Sequence, residues 1–578
     1  MNAKTARHWF PQIIILLSAT FAIYSGTINY PFCFDDFMYV TENYFIRDLS
    51  NFWPPSGTRY FGYLSFALNY RLGGLETSGY HAVNILIHGA NSIMAFMLMR
   101  SLFKSNLFKR CADCNGAPFF FIPFAASLLF AAHPVQTEAV TYITQRFASL
   151  ATLFYLLTLV LYFRWRSSLE SGRFRIAAYA LMPVLAVFAQ MTKEISFTLP
   201  FMAVFFELLL FKGTTLPFKK RVIYMLPMLA SALTIPMFLL AWQESGEIAE
   251  MIRALQVKEL STLSRHDYLL TQLAVMVTYL RLLVMPINQN FDYEYPIYDS
   301  FTHPHVFLSF IFIIGIFISG IALLYSGYRK PSLSRLAAGI GIIWFFATIS
   351  VESSVIPIQH VIFEHRLYLP SAGAALFFST AFFSLYGILR TRTSFTLKPF
   401  HFSMAILLAA APLGSAAIYR NAVWKDPVTL YEDLVKKSPG KVPGHVFLAR
   451  AYAGRGEFDK AIAEFQMALR IDPKDADARV ELGNAYNDAG MVDEAMQEYR
   501  HAIEIRPGHV FARNNLGSSY LVQGRPDEAI AEYLQALRLD NANAETHYNL
   551  WVAYTNKGKP LKAQAHYQRY LAVKDKRK

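Results

Sequence analysis

Eleven apolar stretches fill the first 420 residues, near 9–29, 82–103, 117–132, 139–163, 176–192, 195–211, 222–242, 305–327, 335–350, 367–389 and 400–419. Most approach the roughly 20 residues that a helix needs to cross hydrocarbon. Basic residues collect in alternate connections, among them Lys104/Lys109/Arg110, Lys219/Lys220/Arg221 and Arg390/Arg392/Lys398. With Lys4 and Arg7, they all fall inside if the N-terminus is cytoplasmic. Eleven crossings then place the C-terminus outside. Leu269–Met285 is also apolar, but counting it as a crossing inverts every later loop. It is expected to be re-entrant, interfacial or paired with a further crossing.

After residue 440 the chain repeats itself every 34 residues. Tyr452, Tyr486, Tyr520 and Tyr554 share one position; Gly456, Gly490, Gly524 and Gly558 share another; Pro439, Pro473 and Pro507 a third. This is the tetratricopeptide pattern, a stack of two-helix units. The expected organisation is a membrane domain over 1–420 with an outer loop at 30–80, a capping helix and linker over 421–440, and four repeats over 441–578. The fold class is therefore all-α: a polytopic membrane helical bundle of about eleven spans plus a re-entrant segment, followed by an α-solenoid.

Composition agrees with this division. The chain is 54% hydrophobic and 15% aromatic, with mean hydropathy +0.27. Its net charge of +13 lies largely in the short loops and reads as a topology signal, which excludes nucleic acid as the partner. Three cysteines, Cys33, Cys111 and Cys114, form no disulfide framework, and Cys111-x-x-Cys114 has no second pair to complete a zinc site. The run after Lys4 and Arg7 shows no cleavage site and reads as a retained first helix.

Ionisable residues beside hydrocarbon are costly and mark functional sites. Here they cluster at four boundaries that the loop charges place on the outer face: Asp35-Asp36, His133 to Glu138, Lys193-Glu194, and Glu364-His365-Arg366 with Tyr368. Two adjacent carboxylates raise one another's pKa, which suits a general base or a cation ligand. Arg146, two turns into a span, needs a polar partner, either a phosphate head group or Glu138. Lys193-Glu194 alternatively reads as an ion pair capping two helices, and His88 as a packed, hydrogen-bonded histidine. In the repeats, Asn515 and Asn549 occupy one position and are candidates for holding an acceptor peptide backbone.

In order along the chain, these motifs resemble the transmembrane, tetratricopeptide-repeat-containing O-mannosyltransferases and their bacterial homologues, of the multi-span GT-C glycosyltransferase class. The resemblance rests on Asp35-Asp36, Arg59, Gly79-Tyr-His81-x-x-Asn84-x-x-x-His88, His133-Pro-x-x-Thr-Glu-Ala-Val140, Lys193-Glu194, Phe291-Asp-Tyr293, Glu364-x-x-Leu-Tyr-Leu-Pro370 and the repeats. One departure stands out: in the family an arginine directly follows the glutamate of the late motif, whereas here His365 intervenes before Arg366. The resemblance implies a polyprenyl-phosphate sugar donor in the membrane, mannose or another hexose. It implies transfer with inversion to Ser/Thr hydroxyls of exported proteins recruited by the repeats. Asp35 or Asp36 is then the base. Arg59, His81, His88, His133, Glu138, Arg146, Lys193, Glu194, Glu364, His365, Arg366 and Tyr368 are the candidates for binding donor phosphate or sugar. A monophosphate donor needs no metal, although the adjacent aspartates leave room for a divalent cation, magnesium or manganese. A bacterial inner membrane with a periplasmic array is the expected location. The competing readings are a transferase acting on lipid or glycan acceptors, a non-catalytic membrane-anchored scaffold for envelope or pilus assembly, and a transporter.

Overall fold

The computed structural model describes residues 9–111, 117–170, 172, 174–211, 216–237, 263–354, 357–358, 360–392 and 399–576. Among these residues the regular structure is helical throughout. The chain divides into two compact units, Met1–Asp426 and Pro427–Lys578. Cys114 lies outside the described residues; Cys33 and Cys111 are buried.

The first unit contains α1 (Phe10–Tyr24), α2 (Tyr60–Gly73), α3 (Thr77–Phe103), α4 (Ala117–Ala132), α5 (Arg146–Glu170), α6 (Ile176–Gln190), α7 (Leu199–Leu210), α8 (Phe218–Ala230), α9 (Arg265–Val284), α10 (Pro304–Arg329), α11 (Leu333–Ile349), α12 (Pro370–Arg392) and α13 (Pro399–Ala422). Five segments are long and apolar enough to cross a membrane: Phe10–Thr27, Thr77–Phe103, Ile143–Glu170, Arg265–Val284 and Pro304–Arg329. Shorter apolar helices include Phe121–Ala132, Ile176–Gln190 and Leu333–Ile349. These are five among the described residues, where eleven are expected; α4, α6, α7 and α11 have 16, 15, 12 and 17 residues, and α12 and α13 have 23 and 24. The stretch expected to be re-entrant, interfacial or paired with a further crossing is one 20-residue helix, α9, about 30 Å long at 1.5 Å per residue, which fits the paired alternative. A span is that long.

Glycine lets two of the central helices touch. A Cβ on Gly341 of α11 would stand 2.5 Å from the Gly373 carbonyl of α12, and one on Gly373 would stand 2.6 Å from the Gly341 carbonyl. Small residues at crossings are how helices pack where no hydrophobic effect drives them together. Between α1 and α2 the aromatic-rich loop forms short turns, and it leaves Tyr44, Phe45, Leu49 and Trp53 exposed, as an interfacial surface does.

The second unit opens with α14 (Pro427–Lys437) and continues as four hairpins: α15 (Val442–Gly454) with α16 (Phe458–Ile471), α17 (Ala476–Asp488) with α18 (Val492–Ile505), α19 (Val510–Val522) with α20 (Pro526–Leu539), and α21 (Ala544–Asn556) with α22 (Pro560–Lys576). The repeated glycines turn each hairpin in the left-handed region, with φ between +66° and +80°. An equivalent side-chain pair closes every hairpin: His445–Glu464 at 2.6 Å, Arg479–Glu498 at 2.9 Å, Arg513–Glu532 at 3.0 Å and, in the fourth, His547–His566 at 3.1 Å.

Candidate functional site

The loop after α1 carries the two aspartates on a backbone held in an unusual shape. Phe34 has φ +49°, uncommon for a side chain that is not glycine, and its ring meets Phe291 edge-on at 4.9 Å. The two carboxylates then differ. Asp36 is buried; its Oδ2 accepts the Cys33 N–H at 3.1 Å and its Oδ1 the Thr144 N–H at 2.9 Å. Burial pushes its carboxyl up to about 7 despite those bonds. Asp35 is half-buried, and its own N–H donates to the Tyr142 hydroxyl at 3.0 Å.

Glu138, on the short helix Thr137–Thr141, reaches the late motif 226 residues away. Its Oε2 accepts the backbone N–H groups of Glu364 (2.8 Å) and His365 (3.2 Å), and its Oε1 lies 2.6 Å from His365 Nδ1. Burial raises this carboxyl and lowers the imidazole it holds. Glu364 in turn pins the loop before α10: it accepts from Gln289 Nε2 (2.5 Å), Asn290 N–H (2.8 Å) and the Tyr293 hydroxyl (2.6 Å). Asn288, at the head of that loop, is the other non-glycine residue with positive φ, +54°. Burial raises Glu364 as well, and Arg420 of α13 opposes the shift.

Lys193 and Glu194 do not pair with each other as expected from their adjacency. The extended backbone at Lys193 turns successive side chains apart. Lys193 bonds Glu352 at 3.0 Å and Glu194 faces Arg59 at 3.9 Å. Arg59 also lies over the Phe147 ring.

Arg146 is fully buried, and its partner is not Glu138. Its Nε donates to Asn84 Oδ1 at 2.7 Å, Nη1 to Asn69 Oδ1 at 2.5 Å and the Ser65 carbonyl at 3.2 Å, and Nη2 to the Tyr80 carbonyl at 2.8 Å. The guanidinium therefore joins α2, α3 and α5. Arg366 is committed in the same way, to the carbonyls of Val361 (3.0 Å) and His360 (2.7 Å).

The histidines of the early motifs are also engaged. His88 Nε2 donates to the Ala131 carbonyl at 3.1 Å, and its Nδ1 accepts from the Tyr368 hydroxyl at 2.6 Å. This is the packed, hydrogen-bonded arrangement, and it places Tyr368 in the core. His133 caps the turn Pro134–Gln136 and donates to the Leu283 carbonyl at 3.2 Å. His81 donates to the Tyr30 carbonyl at 3.1 Å. In the repeats, Asn515 donates to Asn484 (2.7 Å) and Asn549 to Asn514 (3.2 Å), so part of each amide is used between repeats.

Three of the polar clusters are thus linked through Tyr142, Phe291, Glu364 and Glu138, and the charges of Lys193 and Arg59 act on His365. Sequence reasoning missed Glu352, Arg420, Asn421 and Trp424. Asn421 bonds Thr141 Oγ1 at 2.9 Å, and Trp424 stacks on Tyr142 at 5.3 Å. Arg420 ends an apolar helix and is buried. A charge in that position was the signal that could have found it.

These features define a helical membrane protein with a buried polar site and an attached tetratricopeptide array. The array matches the family descriptions Tetratricopeptide repeat over residues 430–510 and TPR repeat over 517–558. About four fifths of the chain aligns with protein O-mannosyl-transferases, in line with the motif order. It is 26% identical to Protein O-mannosyl-transferase F38B6.6 of Caenorhabditis elegans, over 80% of this chain and 63% of that one. It is 24% identical to TMTC3 of Mus musculus, over 83% and 53%. With human TMTC2 it shares 34% identity across 25% of this chain and 17% of that one. The chain therefore spans about half to two thirds of the length of the relatives it matches most fully.

Proposed function

We propose that this protein transfers a hexose, such as mannose, from a polyprenyl-phosphate donor to Ser/Thr hydroxyls of exported proteins, with inversion, and that the repeats recruit the acceptor. The convergence of the four clusters carries this reading. It brings a presented carboxylate and a cationic group onto one buried site in a membrane unit, and the relatives' names supply the reaction class.

Asp35 is the base. Both oxygens of Asp36 accept backbone N–H groups, and that carboxylate shapes the loop; Asp35 beside it is half-buried. Asp35 takes the hydroxyl proton as the oxygen attacks the anomeric carbon. Lys193 and Arg59 meet the phosphate charge in place of their carboxylate partners, the buried Glu352 and the part-exposed Glu194. The aspartate pair suits magnesium or manganese poorly, because Asp36 is already occupied by the backbone, so no step is assigned to a cation. A cavity of about 480 Å³ between α7 and α11, lined by Phe197, Phe201, Phe205, Ile343, Val351 and Ser354, suits the isoprenoid tail; Val351 and Ser354 flank Glu352, the partner of Lys193. The loop charges favour the outer face for the site and the repeats, and the short array favours a bacterial inner membrane, with that face periplasmic.

The test is transfer of radiolabelled sugar from polyprenyl-phosphate donors to membrane-extract proteins by the purified chain. Transfer that disappears in Asp35→Asn, with an unchanged melting curve, supports the reading. Absence of transfer by the wild type across a panel of donors removes it.

A further inference from the structure

His365 differs from His88 and His133 in how its ring is held. One ring nitrogen is fixed: Nδ1 lies 2.6 Å from Glu138 Oε1, and the same carboxylate accepts the backbone N–H of His365. The ring plane is fixed as well, stacked on Phe363 with centroids 5.0 Å apart. The opposite nitrogen, Nε2, makes no hydrogen bond among the described residues. His88 and His133, by contrast, use both nitrogens within the fold.

Charged groups surround this imidazole from every neighbouring element. Glu364 and Arg366 lie on its own turn, and His360 on the loop before it. Lys193, held by Glu352, comes from the turn after α6, and Arg59, facing Glu194, from the start of α2. Arg420 of α13 acts on Glu138 and Glu364. Burial and the cations hold His365 well below the usual imidazole range, so the resting ring is neutral, with its Nδ1 proton on Glu138. An anion arriving among Arg59, Lys193 and His365 reverses the local field and draws a proton onto Nε2. A carboxylate that holds one nitrogen so that the other can carry a proton to the reacting group is a recurrent catalytic arrangement.

We propose that Glu138 and His365 form a proton-handling dyad, with His365 Nε2 protonating the departing phosphate of the donor and Glu138 as its positioning residue. This rests on the glycosyl-transfer reading above. The bond between the anomeric carbon and the phosphate oxygen breaks, and its electron pair goes to that oxygen, which takes the Nε2 proton. The acceptor oxygen bonds the anomeric carbon and gives its proton to Asp35. Water then carries a proton from Asp35 and returns one to His365, so each cycle balances. The histidine also makes sense of the departure in the late motif, because it places a titratable donor where the family resemblance implies a permanent cation.

The experiment measures kcat and KM against pH for the wild type, His365→Gln, His365→Arg and Glu138→Gln, together with binding of a long-chain polyprenyl monophosphate over the same pH range. In the wild type kcat falls as pH rises through the imidazole's titration. His365→Gln loses about 10²–10⁴-fold in kcat, the usual contribution of a general acid, with a smaller change in KM. His365→Arg restores a fixed donor: it recovers part of that loss and its profile has no alkaline limb. Glu138→Gln moves the limb to lower pH. An alkaline limb that persists in His365→Arg, or His365→Gln activity within about threefold of wild type, overturns the proposal. If the wild type transfers no sugar, the binding data still decide: weaker phosphate binding at high pH in the wild type and a flat profile in His365→Arg support the contact, and identical profiles refute it.

Discussion

Asp36 accepts the backbone N–H of Thr144 at 2.9 Å, a bond that ties the loop after α1 to the start of α5 across 108 residues. Adjacent aspartates therefore have different consequences when changed. Asp35→Asn is expected to lower transfer by about 10²–10⁴-fold, as for loss of a general base, and to melt like the wild type. Asp36→Asn can satisfy only one of two buried N–H groups and is expected to cost about 1–3 kcal/mol of stability together with activity. Thermal unfolding in detergent alongside the transfer assay separates the two. Equal melting curves for both variants would contradict this division.

The crossing of α11 and α12 leaves no room for a side chain at Gly373, where a Cβ would meet the Gly341 carbonyl and Trp344 Cδ1, both at 2.6 Å. Gly373→Ala is expected to destabilise by about 1–3 kcal/mol, the usual cost of overpacking. The thermal midpoint measures it, and an unchanged midpoint would mean that the helices separate freely.

The repeats were legible because their spacing is enforced by packing: each period needs a small residue and an aromatic at fixed positions, and Tyr499 lying against Gly483 shows why. The site was legible as a set of clusters because charge beside hydrocarbon is conspicuous. Partner choice was not. Glu194 is the neighbour of Lys193 in sequence, yet the extended backbone gives Lys193 to Glu352, 159 residues later. Glu138 was weighed as the partner of Arg146 and instead holds His365. One helix start was also misplaced, since an apolar run does not reveal where a turn interrupts it: the run at 139–163 is broken at Tyr142–Gln145 and its long helix begins at Arg146.

Chelation is expected to leave transfer largely intact. Lys193 and Arg59 are positioned to balance the donor's charge, while each oxygen of Asp36 already accepts a backbone N–H. Activity after EDTA treatment should stay within about twofold of the untreated protein, given that cationic side chains bind phosphate directly. A loss that magnesium or manganese reverses would assign the aspartate pair to a cation.

The fourth hairpin differs from the other three in its response to acid. His547 and His566 stand where the first three repeats pair a histidine or an arginine with glutamate, and burial lowers both. Arg569 presses both imidazoles further down, while Asp540 favours the charged form of His547. Because the folded values lie below the unfolded ones, their contribution to stability is present above about pH 6.5 and is lost as pH falls through the folded values. Hydrogen exchange in α21 and α22 of the full chain is expected to accelerate on acidification, while α19 and α20 change little. His566→Glu, which restores the pairing of the other repeats, is expected to remove the difference. Equal acid sensitivity of all four hairpins would refute it.

Arg146 lies behind the site, with its guanidinium shared among the side chains of Asn69 and Asn84 and the carbonyls of Ser65 and Tyr80. It works as a keystone. The loop bearing Asp36 is bonded to Thr144, two residues before it, so the position of the carboxylates is inherited from an arginine buried behind them. Some inactivating changes in this protein will therefore map to asparagines and carbonyls outside the reacting groups, and an enzyme assay alone would mistake that buttress for the blade.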